Sequence, residues 1–225
     1  MLADNAMPTD STPSMLDKPL SPSRPVAGRR KQEDRTRESR QRLREATIAV
    51  LIERGYSGLT TKEVITRAGV SNGALMHHYA SKMDLVVDAT ADVYEAATAC
   101  GQHIAATPAS RRDPVGGFVR DCVSVYFEWP FLAAVEILVV ARTDRGLMEQ
   151  IQPVMQCYRD VTNERWLGVF AEAGVPQEKA SQVLNLTLNL VRGMAVNRLW
   201  QSDQKAQGAL LEQWTDIARG MIAQT

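Results

Sequence analysis

The feature that most constrains this chain is Gly69, which stops a helical pattern after only two turns. Ahead of it, Thr60 and Glu63 form a T-x-x-E capping box, with Thr60 as N-cap and Glu63 reaching back to the Thr60 N–H. Val64, Ile65 and Ala68 supply the buried face of that short helix. After it, Val70 is an apolar plug, and Ser71 caps a second short helix that runs to about Tyr79. Two helices this short and this close must cross steeply, which calls for a residue without a side chain at the turn. The result has the dimensions of a helix-turn-helix, whose second helix fits a DNA major groove about one helix wide.

The surrounding sequence is helical as well. Leu43, Ala46, Thr47, Val50 and Leu51 make one apolar stripe in a helix expected from about Thr36 and ended by Gly55. Ser81 opens a fourth helix, with Asp84 at its N3 position, that continues toward Ala106. Pro108 and the Arg111–Pro114 segment read as a loop. Further helices are expected at roughly 115–128, 131–143, 146–173, 177–200 and 204–223, with Pro153 kinking the third of these or ending a shorter helix before it. Strand signals are nearly absent, so the fold class is all-α. The division expected is a disordered tail with a basic end at 1–33, a helix-turn-helix domain at 34–80, and a helical regulatory and dimerisation domain at 81–225, with helix 81–106 as connector. Half of the ten prolines fall before residue 27, with little apolar surface to offset ordering entropy.

Charge supports this division. The chain is neutral overall, yet residues 1–27 carry net −1, residues 28–85 net +5 and residues 86–225 net −4. A basic module on an acidic body is the footprint of a phosphate-binding head joined to a domain with another task. The basic run from Arg29 to Arg44 is either a solvated helix face or an arm for phosphates or the minor groove.

The segment Gly58–Ser71 (GLTTKEVITRAGVS), followed by Asn72–Leu85 (NGALMHHYASKMDL), resembles the TetR family of transcriptional regulators, and Glu53–Tyr56 matches that family's close of its first helix. The resemblance covers about Leu43–Leu85. It implies an N-terminal three-helix DNA-binding domain, a C-terminal helical ligand-binding and dimerisation domain, and a double-stranded DNA operator as partner. By the same resemblance, Thr60 and Thr61 touch the DNA backbone and Lys62 reaches a base. Ser71, Asn72, Ala74 and His77 are base-edge candidates, Gly73 allows close approach, and His78 and Lys82 hold phosphates. The family commonly has Tyr where this chain has Met76, and a thioether cannot make that hydroxyl's phosphate contact.

A homodimer is expected through the last two helices. Leu184, Leu188 and Val191 form one apolar stripe there, and Leu211 and Trp214 belong to another. The body is expected to bind an unidentified small-molecule effector. Phe118, Tyr126, Trp129, Trp166 and Phe170 are the aromatic candidates, Glu136 and Asn189 the polar ones; core filling is the competing role for the aromatics. Arg192 and Asn185 are further polar groups in apolar stretches that require a partner.

Catalysis finds no support: there is no Gly-rich phosphate loop, no GxSxG elbow, no convincing carboxylate pair and no metal-ligand cluster. His77 and His78, being adjacent, point to different helix faces. No metal or cofactor is expected. Cys100, Cys122 and Cys157 lack CxxC spacing and read as buried small hydrophobes, with thiol sensing as the alternative. With no membrane span and no signal-peptide pattern, a cytoplasmic location is expected. A helical adaptor without DNA binding is the remaining alternative, supported by Met76 alone.

Overall fold

The structure, a computed structural model, describes residues 26–127, 131–201 and 203–223. The expected tail up to residue 25 and the candidate Trp129 lie outside the described residues. The described residues form helices α1 (Val26–Gly58), α2 (Thr61–Ala68), α3 (Asn72–His78), α4 (Lys82–Ala106), α5 (Pro108–Arg112), α6 (Pro114–Tyr126), α7 (Phe131–Ala141), α8 (Arg145–Glu172), α9 (Gln177–Asn197) and α10 (Gln204–Ala223), with no strand among them. The chain divides into two units, Met1–Thr36 and Arg37–Thr225. In the first, the Thr36 hydroxyl donates to the Gln32 carbonyl at 2.8 Å, along the helix.

The local signals act where the sequence puts them. Gly55 breaks helical geometry inside α1 at φ 68°, and Gly69 ends α2 at φ 62°, a left-handed conformation that side chains disfavour. Thr60, Ser71 and Ser81 each accept a hydrogen bond from the backbone N–H three residues on, at 3.2, 3.1 and 3.0 Å. The capping box is only half made. The Glu63 carboxylate pairs with Arg54 Nε at 2.9 Å instead of returning to Thr60.

Helix α1 begins at Val26, so residues 26–33, expected in a disordered tail, are helical, and two later boundaries also differ from expectation. The segment after Thr107 is a short helix, not a loop: Thr107 accepts from Ser110 N, and Pro108 takes a first-turn position that needs no N–H donor. Helix α8 runs unbroken through Pro153, because packing along α4 outweighs the one backbone bond that proline removes.

Two apolar cores follow. The first gathers Leu43, Val50 and Leu51 of α1, Val64 of α2, Leu75 of α3 and Leu85 and Val86 of α4, closed by Ala133, Ile137 and Ala141 of α7 and Leu147 and Ile151 of α8. The second gathers Phe118 and Val125 of α6, Trp166 and Phe170 of α8, and Val183, Leu184, Leu188 and Val191 of α9. This corrects the dimer stripe. Leu184, Leu188 and Val191 are 2, 4 and 0% exposed in the single chain, because that face of α9 packs on α6 and α8. Leu211 and Trp214 are half-buried against the same core, and Trp214 Nε1 donates to Thr187 Oγ1 at 2.9 Å. The apolar side chains left exposed on these two helices are Leu186, Leu210 and Ile217.

Candidate functional site

The cap at Ser71 starts α3 so that Leu75 points into the first core while Ser71, Asn72, Gly73 and His77 face solvent; Ala74 is half-buried. Met76 shares the exposed surface at 62%. Thr60 and Lys62 are exposed and Thr61 half-buried at the start of α2, where unpaired backbone N–H groups favour an anion. His78 and Lys82 are engaged within the protein. His78 Nε2 shares a hydrogen bond with Ser39 Oγ at 2.8 Å, and burial, helped by the charges of His77 and Arg40, lowers its pKa, so the ring is neutral at pH 7. Lys82 Nζ donates to the Tyr56 carbonyl at 2.6 Å and lies 4.2 Å from the centre of the Tyr56 ring. Burial lowers its pKa as well.

A hub that sequence reasoning missed holds this surface together. Asp88 of α4 accepts from Arg40 Nη2 at 2.6 Å, Arg44 Nε at 2.7 Å and Tyr79 Oη at 2.6 Å, while Arg44 Nη1 reaches Asp92 at 2.7 Å. Burial opposes the Asp88 charge, but the bonds from Arg44, Arg40 and Tyr79 outweigh it and hold the carboxyl well below the usual carboxylate range. Burial also pushes the Tyr79 phenol up to about 12. Two i, i+4 pairs of opposite charge, Arg40/Arg44 and Asp88/Asp92, were the available signal.

Glu136 sits elsewhere than in a ligand site. Its Oε1 accepts from the Tyr56 N–H at 2.6 Å, just past the Gly55 break, and a side chain at Gly55 would run into that carboxylate. Helix α7 therefore touches the reading head directly. Its Ala133, Ile137 and Ala141 close the first core, while Phe131, Ala134, Val135 and Leu138 line a cavity of about 450 Å³ on another face. Tyr94 of α4, Tyr126 of α6, Met155 of α8 and Arg192 of α9 complete its walls. A second cavity, of about 480 Å³, lies between α4 and α8 beside Tyr94, Pro153, Cys157 and Tyr158.

Of the aromatic candidates, Tyr126 lines the first cavity. Phe118, Trp166 and Phe170 are fully buried core residues, with the Phe118 and Trp166 rings 5.4 Å apart. Trp166 Nε1 donates to Asp121 Oδ2 at 2.6 Å; Asp121 Oδ1 has no hydrogen-bond partner among the described residues, and burial raises this carboxyl's pKa. Asn189 is exposed and bonds along its own helix to Asn185 O at 2.9 Å. Cys122 fits the expected buried hydrophobe, but Cys100 and Cys157 are exposed. Among the described residues no His, Cys, Asp and Glu group could hold a metal ion, and no single helix is long and apolar enough to cross a membrane.

Residues 43–89 match the model of the bacterial regulatory proteins of the tetR family. The chain is 32% identical over 195 residues to the HTH-type transcriptional regulator CymR of Pseudomonas putida, covering 87% of this chain and 96% of that one. Among solved structures it is similar to a putative transcriptional regulator from Pseudomonas aeruginosa, with a TM-score of 0.63 at 21% identity over 87% of this chain and 96% of that one. It is also similar to a TetR transcription regulator from Haloarcula marismortui, with a TM-score of 0.62 at 16% identity over 83% and 97%.

Proposed function

Since this chain belongs to the TetR family and is a DNA-binding transcriptional regulator, we propose that it is a homodimeric repressor that leaves its operator when a small molecule fills the cavity beside α7. The observation that carries this reading is the double duty of α7: one face lines the cavity, another closes the core of the reading head, and Glu136 holds the backbone at Tyr56. Matter added on the first face displaces the second. A coupling of about 1–3 kcal/mol is enough to change operator occupancy strongly.

On DNA, Ser71, Asn72, Ala74 and His77 meet base edges and Gly73 allows close approach to the groove, while Thr60 and Thr61 meet the backbone and Lys62 a base. Lys82 keeps two further N–H donors beside its bond to Tyr56, enough to take a phosphate, and His78 keeps Nδ1. The dimer seam lies on the outward faces of α9 and α10, around Leu186, Leu210 and Ile217, where Gly193 and Gly220 leave open space for close approach. A two-fold pair of reading helices then spans half-sites roughly 34–36 Å apart.

Fluorescence anisotropy on the DNA flanking the protein's own gene tests this. Tight binding with a steep salt dependence supports it, as does a changed sequence preference in Asn72→Ala and His77→Ala, obtained by selection from random DNA. Salt-independent or absent binding would reject it.

A further inference from the structure

The cavity beside α7 is mostly apolar, with Arg192 and Asn197 of α9 as its non-aromatic polar residues. Arg192 is the only charged group among its described lining residues, and its Nη2 donates to Tyr126 Oη at 2.8 Å with the guanidinium 5.1 Å from that ring's centre. A phenol oxygen uses one of five donors and supplies no charge. No carboxylate among the described residues forms an ion pair with Arg192. The nearby phenols do not offset it either: burial pushes Tyr94 up to about 12 and raises Tyr126 and Tyr158 too, so all three are neutral at pH 7.

A partly buried cation facing an apolar space is an incomplete site, because taking charge out of water costs free energy that only an anion nearby recovers. The planar guanidinium matches a carboxylate through two parallel N–H···O bonds. Phe131 and Leu138 on α7 also line the space, as does Tyr94, whose ring lies tilted with its centre 5.0 Å from that of Tyr158. Its volume of about 450 Å³ suits a small molecule with one polar end.

We propose that the effector is a small apolar carboxylic acid, aryl or short-chain acyl, whose carboxylate is held by Arg192 while its hydrocarbon part presses on Phe131 and Leu138. This rests on the ligand-release reading above and names its ligand class. The position of the hydrocarbon explains the response: it lies on the face of α7 next to the one that closes the head core, so the carboxylate supplies affinity and the ring or chain supplies the push.

The test compares each acid with its neutral primary amide: 2-naphthoate with 2-naphthamide, and decanoate with decanamide. Calorimetric titration of the full-length protein without DNA should show at least one acid binding about 10- to 100-fold more tightly than its amide, the span expected for a charge-assisted pair. Arg192→Gln should lose that preference, and Arg192→Lys should restore part of it. Equal binding of acid and amide, no binding of either acid, or unchanged acid affinity in Arg192→Gln would overturn the proposal. If Arg192→Gln does not fold, the acid–amide comparison on the unaltered protein and Arg192→Lys still decide it. Because calorimetry is done without DNA, failure of operator binding would count against the regulatory reading alone, while tight binding of a neutral or cationic compound would count against the carboxylate alone.

Discussion

The two cores of this molecule are built from different materials. The one beneath the reading head is almost wholly aliphatic, with Tyr79 at its edge, and every buried polar side-chain atom there has a hydrogen bond. The one in the body is built around Phe118, Trp166, Phe170 and Tyr126, and among the described residues it holds a carboxylate oxygen with no hydrogen bond, an arginine with no ion pair to an acid and the walls of a cavity. Small aliphatic side chains between short capped helices leave little room to rearrange, so the head keeps its exposed face in one shape. The body instead sets large rings beside unfilled space. Helix α7 belongs to both regions.

The contrast can be broken first at the two faces of α9 and α10. Leu188→Glu puts an unpaired charge in the body core and should leave no folded protein, because the cost of several kcal/mol rivals total stability. Ile217→Glu places the same charge on the outward face and should give a folded monomer that no longer holds a two-half-site operator. Circular dichroism with light scattering separates the two outcomes. A folded, dimeric Leu188→Glu protein would show that the apolar stripe of α9 does not face the chain's own core.

Within the body, Trp166→Ala should cost about 3–5 kcal/mol, since it removes a fully buried ring and strands the second Asp121 oxygen as well. Urea unfolding measures this. A loss under about 1 kcal/mol would mean the body core repacks freely around the missing indole.

In the head, Asp88→Asn should cost about 1–3 kcal/mol, because Arg40 and Arg44 lose a charged acceptor. This loss depends on pH. The Asp88 carboxyl titrates lower in the folded chain than in the unfolded one, so its stabilisation is fully present above the unfolded pKa of about 4 and fades as pH falls below that toward the folded value. Unfolding curves of the two proteins should therefore differ at pH 7 and converge in strong acid. A difference that persists unchanged into acid would assign the effect to shape instead of charge.

What the sequence made legible follows the same division. Thr60, Gly69, Ser71 and Ser81 act on backbone groups within a few residues, so their caps and the turn were readable and the head followed from them. Signals that act across the chain were not. A stripe such as Leu184–Leu188–Val191 reports that a helix face is buried but not against what, and here α6 and α8 take the place expected for a second protomer. Glu136 read as a ligand group because its partner, the Tyr56 N–H, lies 80 residues earlier. The Thr107–Pro108 helix start was local and could have been read from the N-cap and first-turn proline together. Arg192 stood out as a polar residue in an apolar stretch, but only the packed helices place it at a cavity.

The central claim, that filling the space beside α7 weakens the grip on DNA, can be tested without knowing the effector. Ala134 lines the cavity from α7 itself, so Ala134→Phe occupies part of it with covalently attached carbon. The account predicts a protein that remains folded and dimeric and whose operator dissociation constant, read by fluorescence anisotropy with no ligand present, rises by roughly 5- to 150-fold. An operator affinity equal to that of the parent, in a variant shown by circular dichroism and light scattering to be folded and dimeric, would contradict it.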